Sequence, residues 1–198
     1  MPSPQPLLAF LLLLAYFALH SLLAADKFKA WFSQKMGASF RFYRLIYNVL
    51  AALLLFFLLR WMYAWPEEFL FHTNIWTKGA ALLLLALGGW MVLGALLQYD
   101  LREFVGIQQL LDKNTIPEPG GLNTSGFNAI VRHPLYLGLI LLLLGTFLFH
   151  PKTAALLLLM SVLVYLPFGI YWEEKKLRMQ FGQAYLDYEK KVKCLFPL

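Results

Sequence analysis

The apolar stretch LYLGLILLLLGTFLF (135–149), the link HPK (150–152) and the apolar stretch TAALLLLMSVLVYLPFGIYW (153–172) decide the fold. Neither apolar run holds a charged residue. Inside a bilayer an unpaired peptide group costs several kcal/mol, so such runs cross hydrocarbon as helices. A three-residue link permits only an antiparallel return, and Pro151 can continue neither helix. Both outer ends of this hairpin therefore lie at the same side of the membrane. One end carries Arg132, His133, Pro134 and Tyr136, and the other carries Glu173 and Glu174.

Three more apolar runs precede the hairpin: Leu7 to Ala25, Leu45 to Trp65, and Gly79 to Tyr99. The run 135–149 is the shortest of the five. Across the 198 residues, 60% are hydrophobic and 14% charged, against about 45–50% and about 25% in soluble domains. A soluble globular enzyme and a disordered chain are thereby excluded. A single cysteine, Cys194, excludes a disulfide scaffold. The expected fold is all-α, one polytopic membrane helix bundle over 1–198. It comprises five transmembrane helices (three within 1–99), a cytoplasmic loop at 100–133, the hairpin at 134–172 and an amphipathic tail helix at 173–198.

Charge sets the direction. With the N-terminus outside, all but three of the seventeen cations (Arg60, Lys78 and Lys152) face the cytoplasm, as the positive-inside bias requires. The net charge of +6 suits loops beside anionic lipid rather than a nucleic-acid footprint. Leu23-Ala24-Ala25 resembles a signal-peptide cleavage site, but no Lys or Arg precedes the apolar run, so the first span is expected to be retained.

Polar chemistry collects on the cytoplasmic side. The first loop is basic and aromatic, with Trp31, Phe32, Phe40, Phe42 and Tyr43 suited to an interfacial belt. The loop from Asp100 to His133 is longer than a connector needs, and its Pro117, Pro119, Gly120, Gly121 and Gly126 allow sharp turns and close approach to a ligand. In the tail, Leu177, Phe181, Tyr185, Tyr188 and Val192 recur at helical spacing, with Gly182 a weak point. Pro134 suits the first turn of a helix, whose free N–H groups and positive end can receive an oxygen ligand. Glu173 and Glu174 oppose the dipole at a helix C-terminus, so each needs a cationic partner or a functional reason. The plainer alternative is a surface ion pair with Lys175 to Arg178.

The segment GLNTSGFNAIVRHPLYLG (121–138), together with Glu173-Glu174, Leu177, Phe181-Gly182, Tyr185, Tyr188 and Val192, resembles the signature of the isoprenylcysteine carboxyl methyltransferase family. The N-terminal half resembles the NnrU-like and methanethiol methyltransferase-like members. That likeness rests on His20 to Ala24, Arg41 to Arg44, Tyr47-Asn48 and Glu103 to Gln109. These are integral membrane enzymes that use S-adenosylmethionine. The resemblance implies that Gln109, Gly120, Gly121, Leu122, Asn123, Asn128, His133, Pro134, Leu135, Tyr136 and Glu173 hold this cofactor, with Glu173 and His133 the catalytic candidates. It implies a small lipophilic or thiol acceptor (thiol, carboxyl or lipid), access from membrane lipid, and a bacterial inner membrane. Two departures stand out: Asn128 occupies an aromatic position of the family, and Gly169 stands where the prenylcysteine enzymes carry an arginine that meets the substrate carboxylate.

Physical chemistry agrees with such a donor. Carboxylates can pair with its ammonium or ribose hydroxyls, and aromatic faces stabilise a sulfonium by about 0.5–2 kcal/mol. His20 is expected to make an interhelical hydrogen bond, His72 and His150 to be solvated, and no residues show metal-ligand spacing. Two other functions fit the sequence less well. An NADPH-dependent sterol-type reductase shares an Arg-His-Pro-x-Tyr-x-Gly helix start, and a non-catalytic membrane partner or sensor needs only a degenerate pocket.

Overall fold

The computed structural model describes residues 5–66, 69–98, 100–111 and 121–196, with the side chains of Ala38, Glu103 and Phe104 left out. The helices in order are α1 (Gln5–Ala24), α2 (Asp26–Met36), α3 (Tyr43–Tyr63), α4 (Ile75–Leu96), α5 (Leu101–Val105), α6 (Gln108–Leu111), α7 (Pro134–Phe149), α8 (Thr153–Phe181) and α9 (Gln183–Lys191). Short 3₁₀ turns lie at Gly37–Phe42 and Gly126–Ala129. Among the described residues there is no strand, only an isolated parallel bridge between Val131 and Lys193. Four helices, α1, α3, α4 and α8, are long and apolar enough to cross a membrane. Helix α7, of 16 residues, rises about 24 Å, less than the roughly 30 Å of hydrocarbon.

The chain divides into two compact units, Met1–Pro66 with Tyr99–Pro119, and Glu67–Gln98 with Gly120–Leu198. In the first unit, tyrosine hydroxyls tie α1 to α3. Tyr16 donates to the Ala51 carbonyl at 3.1 Å and Tyr43 to the Leu23 carbonyl at 2.8 Å. Tyr47 donates to the His20 carbonyl at 3.0 Å and meets the His20 ring. His20 thus makes the interhelical contact expected of it. The basic stretch after α1, expected as a loop, is mostly the helix α2. Asn48 reaches from α3 to the Val105 carbonyl at 2.9 Å.

In the second unit, α4 and α7 approach closely along a stripe of small residues. Ala81, Gly88 and Ala95 recur every seven positions on α4, as Gly138 and Gly145 do on α7. A β-carbon at Gly88 would stand 2.7 Å from the Gly138 carbonyl oxygen, and one at Gly145 would stand 3.0 Å from the Ala81 carbonyl. Lipid supplies no hydrophobic drive between helices, so this backbone proximity and its dispersion contacts hold the pair.

One expected boundary moves. The sequence reading ends the last span at Trp172 and begins a separate tail helix there. The structure continues α8 without interruption to Phe181 and breaks at Gly182, whose φ of 53° ends the helix. Apolarity stops at Trp172, but the following EEKKLRMQ (173–180) consists of strong helix formers, so the backbone carries on into water. Only α9 then belongs to a separate tail helix, with Tyr185 and Tyr188 buried.

Candidate functional site

The start of α7 and the polar extension of α8 meet in the second unit. His133 precedes Pro134, the first residue of α7, and no side chain caps that helix start. The His133 side chain is 3% exposed. Its Nε2 faces Glu174 Oε1 at 3.2 Å, and its Nδ1 faces Glu173 Oε2 at 3.5 Å. Tyr136 stacks on the ring at 5.4 Å between centroids, and its hydroxyl hydrogen-bonds Glu173. The structure therefore brings together His133, Tyr136, Glu173 and Glu174.

The two carboxylates differ in environment. Glu174 is buried, and its Oε1 accepts from Arg132 Nε at 2.9 Å and Nη2 at 2.6 Å. Arg178 donates to its other oxygen at 3.3 Å. Glu174 is thus not a surface charge. Glu173 keeps 40% of its side chain exposed, although Oε2 is sealed. Among the described residues no arginine pairs with it.

The tail fastens this corner. Arg132 Nη1 donates to the carbonyls of Glu189 at 3.1 Å and Val192 at 2.7 Å. The Arg132 amide donates to the Lys193 carbonyl at 2.8 Å, and the His133 amide to the Cys194 carbonyl at 3.1 Å. Burial lowers the affinity of the Arg132 guanidinium for its proton, but the bond and charge of Glu174 outweigh this, so its pKa lies above the usual value. Arg178 binds Glu189 with two N–H groups, at 3.0 and 2.5 Å. That bond holds the Glu189 carboxyl below the usual range against the opposing effect of burial.

Donor atoms of His133, Glu174 and Cys194 lie within 4.8 Å of one another, a convergence of three segments that sequence spacing does not show. Arg132 already occupies Glu174 Oε1, at 2.6 Å, so that oxygen is committed to a guanidinium. Burial, with the adjacent Glu174 charge, pushes the Cys194 thiol up, so it is not a ready thiolate ligand.

A second polar group lies at the end of α4. Gln98 Oε1 accepts from Asn123 Nδ2 at 3.3 Å and from Asn128 Nδ2 at 3.5 Å, while Gln98 donates to the Gly94 carbonyl. Tyr188 donates to the Asn128 carbonyl at 2.6 Å. Gly126, with φ of 58°, lets the loop turn directly against Gln98. Sequence reading names Asn123 and Asn128 but misses Gln98; the available signal is a lone amide at the end of an apolar run. Gly121 faces open space, and Leu122 is half-buried. Leu135 occupies the first turn of α7. Gly120 lies outside the described residues. Gln109 belongs to the first unit, where its amide is 3.2 Å from Arg44 Nη1 and 3.3 Å from the Gly106 carbonyl.

Residues 8–194 match the family described as NnrU protein. Curated relatives include methanethiol S-methyltransferase of Pseudomonas deceptionensis, 30% identical over 98% of this chain and 74% of that protein. Methanethiol S-methyltransferase 2 of Bradyrhizobium diazoefficiens is 32% identical over 98% of this chain and 74% of its own. The methanethiol S-methyltransferase of Crocosphaera subtropica is 30% identical over 93% and 72%. No solved structure matches. These likenesses bear out the NnrU-like and methanethiol methyltransferase-like resemblance read from the sequence: the chain belongs to the NnrU family.

Proposed function

We propose that the chain is an integral membrane methyltransferase that transfers a methyl group from S-adenosylmethionine to a small thiol. Its relatives' names carry the reaction and acceptor, and the carboxylate cluster where α7 meets α8 supports the donor. We take α7 as a fifth crossing, with the N-terminus outside and the C-terminus cytoplasmic, because this direction leaves only Arg60, Lys78 and Lys152 outside.

The residues fit such a donor. A ligand with an ammonium and a sulfonium needs an accessible anion. Glu173 is the half-exposed carboxylate of the cluster, held by no arginine among the described residues and facing His133 and Lys176. The Gln98, Asn123 and Asn128 amides supply donors and acceptors for ribose and base, and the uncapped start of α7 adds backbone N–H groups at Leu135 and Tyr136. When bound, the donor would supply an electrophilic methyl group that passes in line to the thiol sulfur as its bond to the sulfonium sulfur breaks, leaving the demethylated donor as a neutral thioether. The protein's own share is positioning, exclusion of water and custody of one proton. With both ring nitrogens facing carboxylates, His133 acts as a positioning residue that orients Glu173. The Glu173 carboxylate takes the thiol proton or pairs with the donor cation.

Purified full-length protein in detergent micelles should bind S-adenosylmethionine and lose that binding in Glu173→Ala. Binding of NADPH without the methyl donor would instead favour the reductase class.

A further inference from the structure

A cavity of about 300 Å³ lies in the first unit among α1, α2 and α3, and the chemistry proposed above makes no use of it. Its size is at the lower end for ligand pockets. Leu19 and His20 of α1, Phe32 and Met36 of α2, and Tyr47 and Leu50 of α3 are among its walls. Three tyrosines border it, yet their hydroxyls are spent on backbone carbonyls: Tyr16 on Ala51, Tyr43 on Leu23 and Tyr47 on His20. Their rings stack in a ladder, with Tyr43 and Tyr47 tilted by 3° and Tyr47 and His20 by 29°. What faces the space is carbon and ring surface. Water needs two or more polar partners to reside stably, and these walls do not offer them.

The rim identifies the occupant. Leu19, Ile46, Leu50 and Leu54 are exposed on helices long and apolar enough to span lipid, so the mouth opens to hydrocarbon. At the other end, residues 26–44 carry five cations (Lys27, Lys29, Lys35, Arg41 and Arg44) against one anion, Asp26. Phe32, a wall residue, stands three positions from both Lys29 and Lys35 on α2, which sets these cations beside the cavity; Lys29 is paired with Asp26 at 2.6 Å, so Lys35 carries the uncompensated charge there. Lys35 lies over the exposed Trp31 ring at 4.4 Å and Arg41 over Phe42 at 4.8 Å, an arrangement that holds charge at a membrane interface.

We propose that this cavity binds one acyl chain of an anionic phospholipid whose phosphate rests on the basic residues of α2 and the turn after it. Apolar walls take the chain, and the collar selects the headgroup charge. The site is independent of methyl transfer.

The test uses the full chain reconstituted in phosphatidylcholine vesicles that carry a minor fraction of a lipid with a photoreactive acyl chain. That lipid is either phosphatidylglycerol or phosphatidylcholine, and labelled peptides are mapped after illumination. Phosphatidylglycerol should label the α1–α3 cavity residues about fivefold more than phosphatidylcholine does. Ile46→Trp, which fills the mouth, should remove most of this labelling, and Leu50→Phe serves if the first variant fails to fold. Lys35→Glu with Arg41→Glu should abolish the headgroup preference while chain labelling persists. Equal labelling by the two lipids, labelling spread evenly onto lipid-facing α4 residues such as Leu83 and Trp90, or cavity labelling that survives a folded filling variant would each overturn the proposal.

Discussion

Arg132 and Glu174, 42 residues apart in sequence, meet through two N–H bonds to one carboxylate oxygen, at 2.9 and 2.6 Å. Both side chains are about nine-tenths buried. Removing one partner of a buried ion pair leaves an uncompensated charge and costs about 3–5 kcal/mol. Arg132→Ala should therefore destabilise the second unit by about that amount, while Arg132→Lys keeps the charge but loses the paired geometry and falls between. Thermal unfolding in detergent micelles, followed by tryptophan fluorescence, checks the order wild type, lysine, alanine.

The tail docks through a carboxylate held below its usual range, because Arg178 donates two hydrogen bonds to Glu189. When the tail is released, Glu189 titrates at the higher, ordinary glutamate value. The released state therefore binds the proton first as pH falls. The stabilisation is complete above the ordinary value and is lost as pH drops through the lower, docked-state value. Limited proteolysis should find the bonds after α9 protected at pH 7 and increasingly open as pH falls below the ordinary carboxylate range. Glu189→Gln should flatten this dependence.

Gly88 sits 2.7 Å, by its virtual β-carbon, from backbone atoms of both Gly138 and Leu142. Nothing there can move aside except the α7 backbone. Gly88→Leu should cost more than the usual overpacking range of about 1–3 kcal/mol, and Gly88→Ala should already be measurable. Gly89, beside it in sequence, faces open space, so Gly89→Ala is the matched control and should be neutral or stabilising.

How much of this was legible in the residues alone varies with the element. The meeting of His133 with Glu173 follows from the three-residue link at 150–152, because a tight hairpin leaves no other place for its ends. The burial of Glu174 does not follow. Its principal partner, Arg132, lies before α7, and only the tail, wrapping back through Glu189 and Val192, seals the pair. Periodicity likewise cannot show that α4 packs on α7, since small residues in an apolar run look alike from every side until a neighbour is chosen. The extension of α8 to Phe181 was hidden for a different reason: a fall in hydropathy marks the membrane surface, not the end of a helix. Gln98 was missed because a single amide among apolar residues has no partner in sequence.

Gly169 faces open space on α8. Replacing a helix-interior glycine with a long side chain gains about 0.5–1 kcal/mol of helix propensity. Inside a membrane span a charge costs more than that gain unless it snorkels to the nearby surface, so Gly169→Arg should fold with a net loss below the roughly 2.5–3.5 kcal/mol of a charge at mid-bilayer. Because the proposed acceptor is a thiol, the variant should confer no advantage in thiol methylation. A variant that alone methylated a prenylcysteine carboxylate, beside an inactive wild type, would remove the thiol reading.

The central claim is that the Glu173 carboxylate, oriented by His133, serves methyl transfer to a small thiol. The most direct measurement incubates purified full-length protein with methyl-labelled S-adenosylmethionine and methanethiol and traps the volatile thioether. The wild type should form labelled product. Glu173→Ala should lose activity by about 100-fold or more, the scale set by loss of a positioned proton acceptor, while unfolding at a similar temperature. A wild type that neither binds the donor nor yields labelled thioether, or a folded Glu173→Ala variant with undiminished activity, would contradict the account.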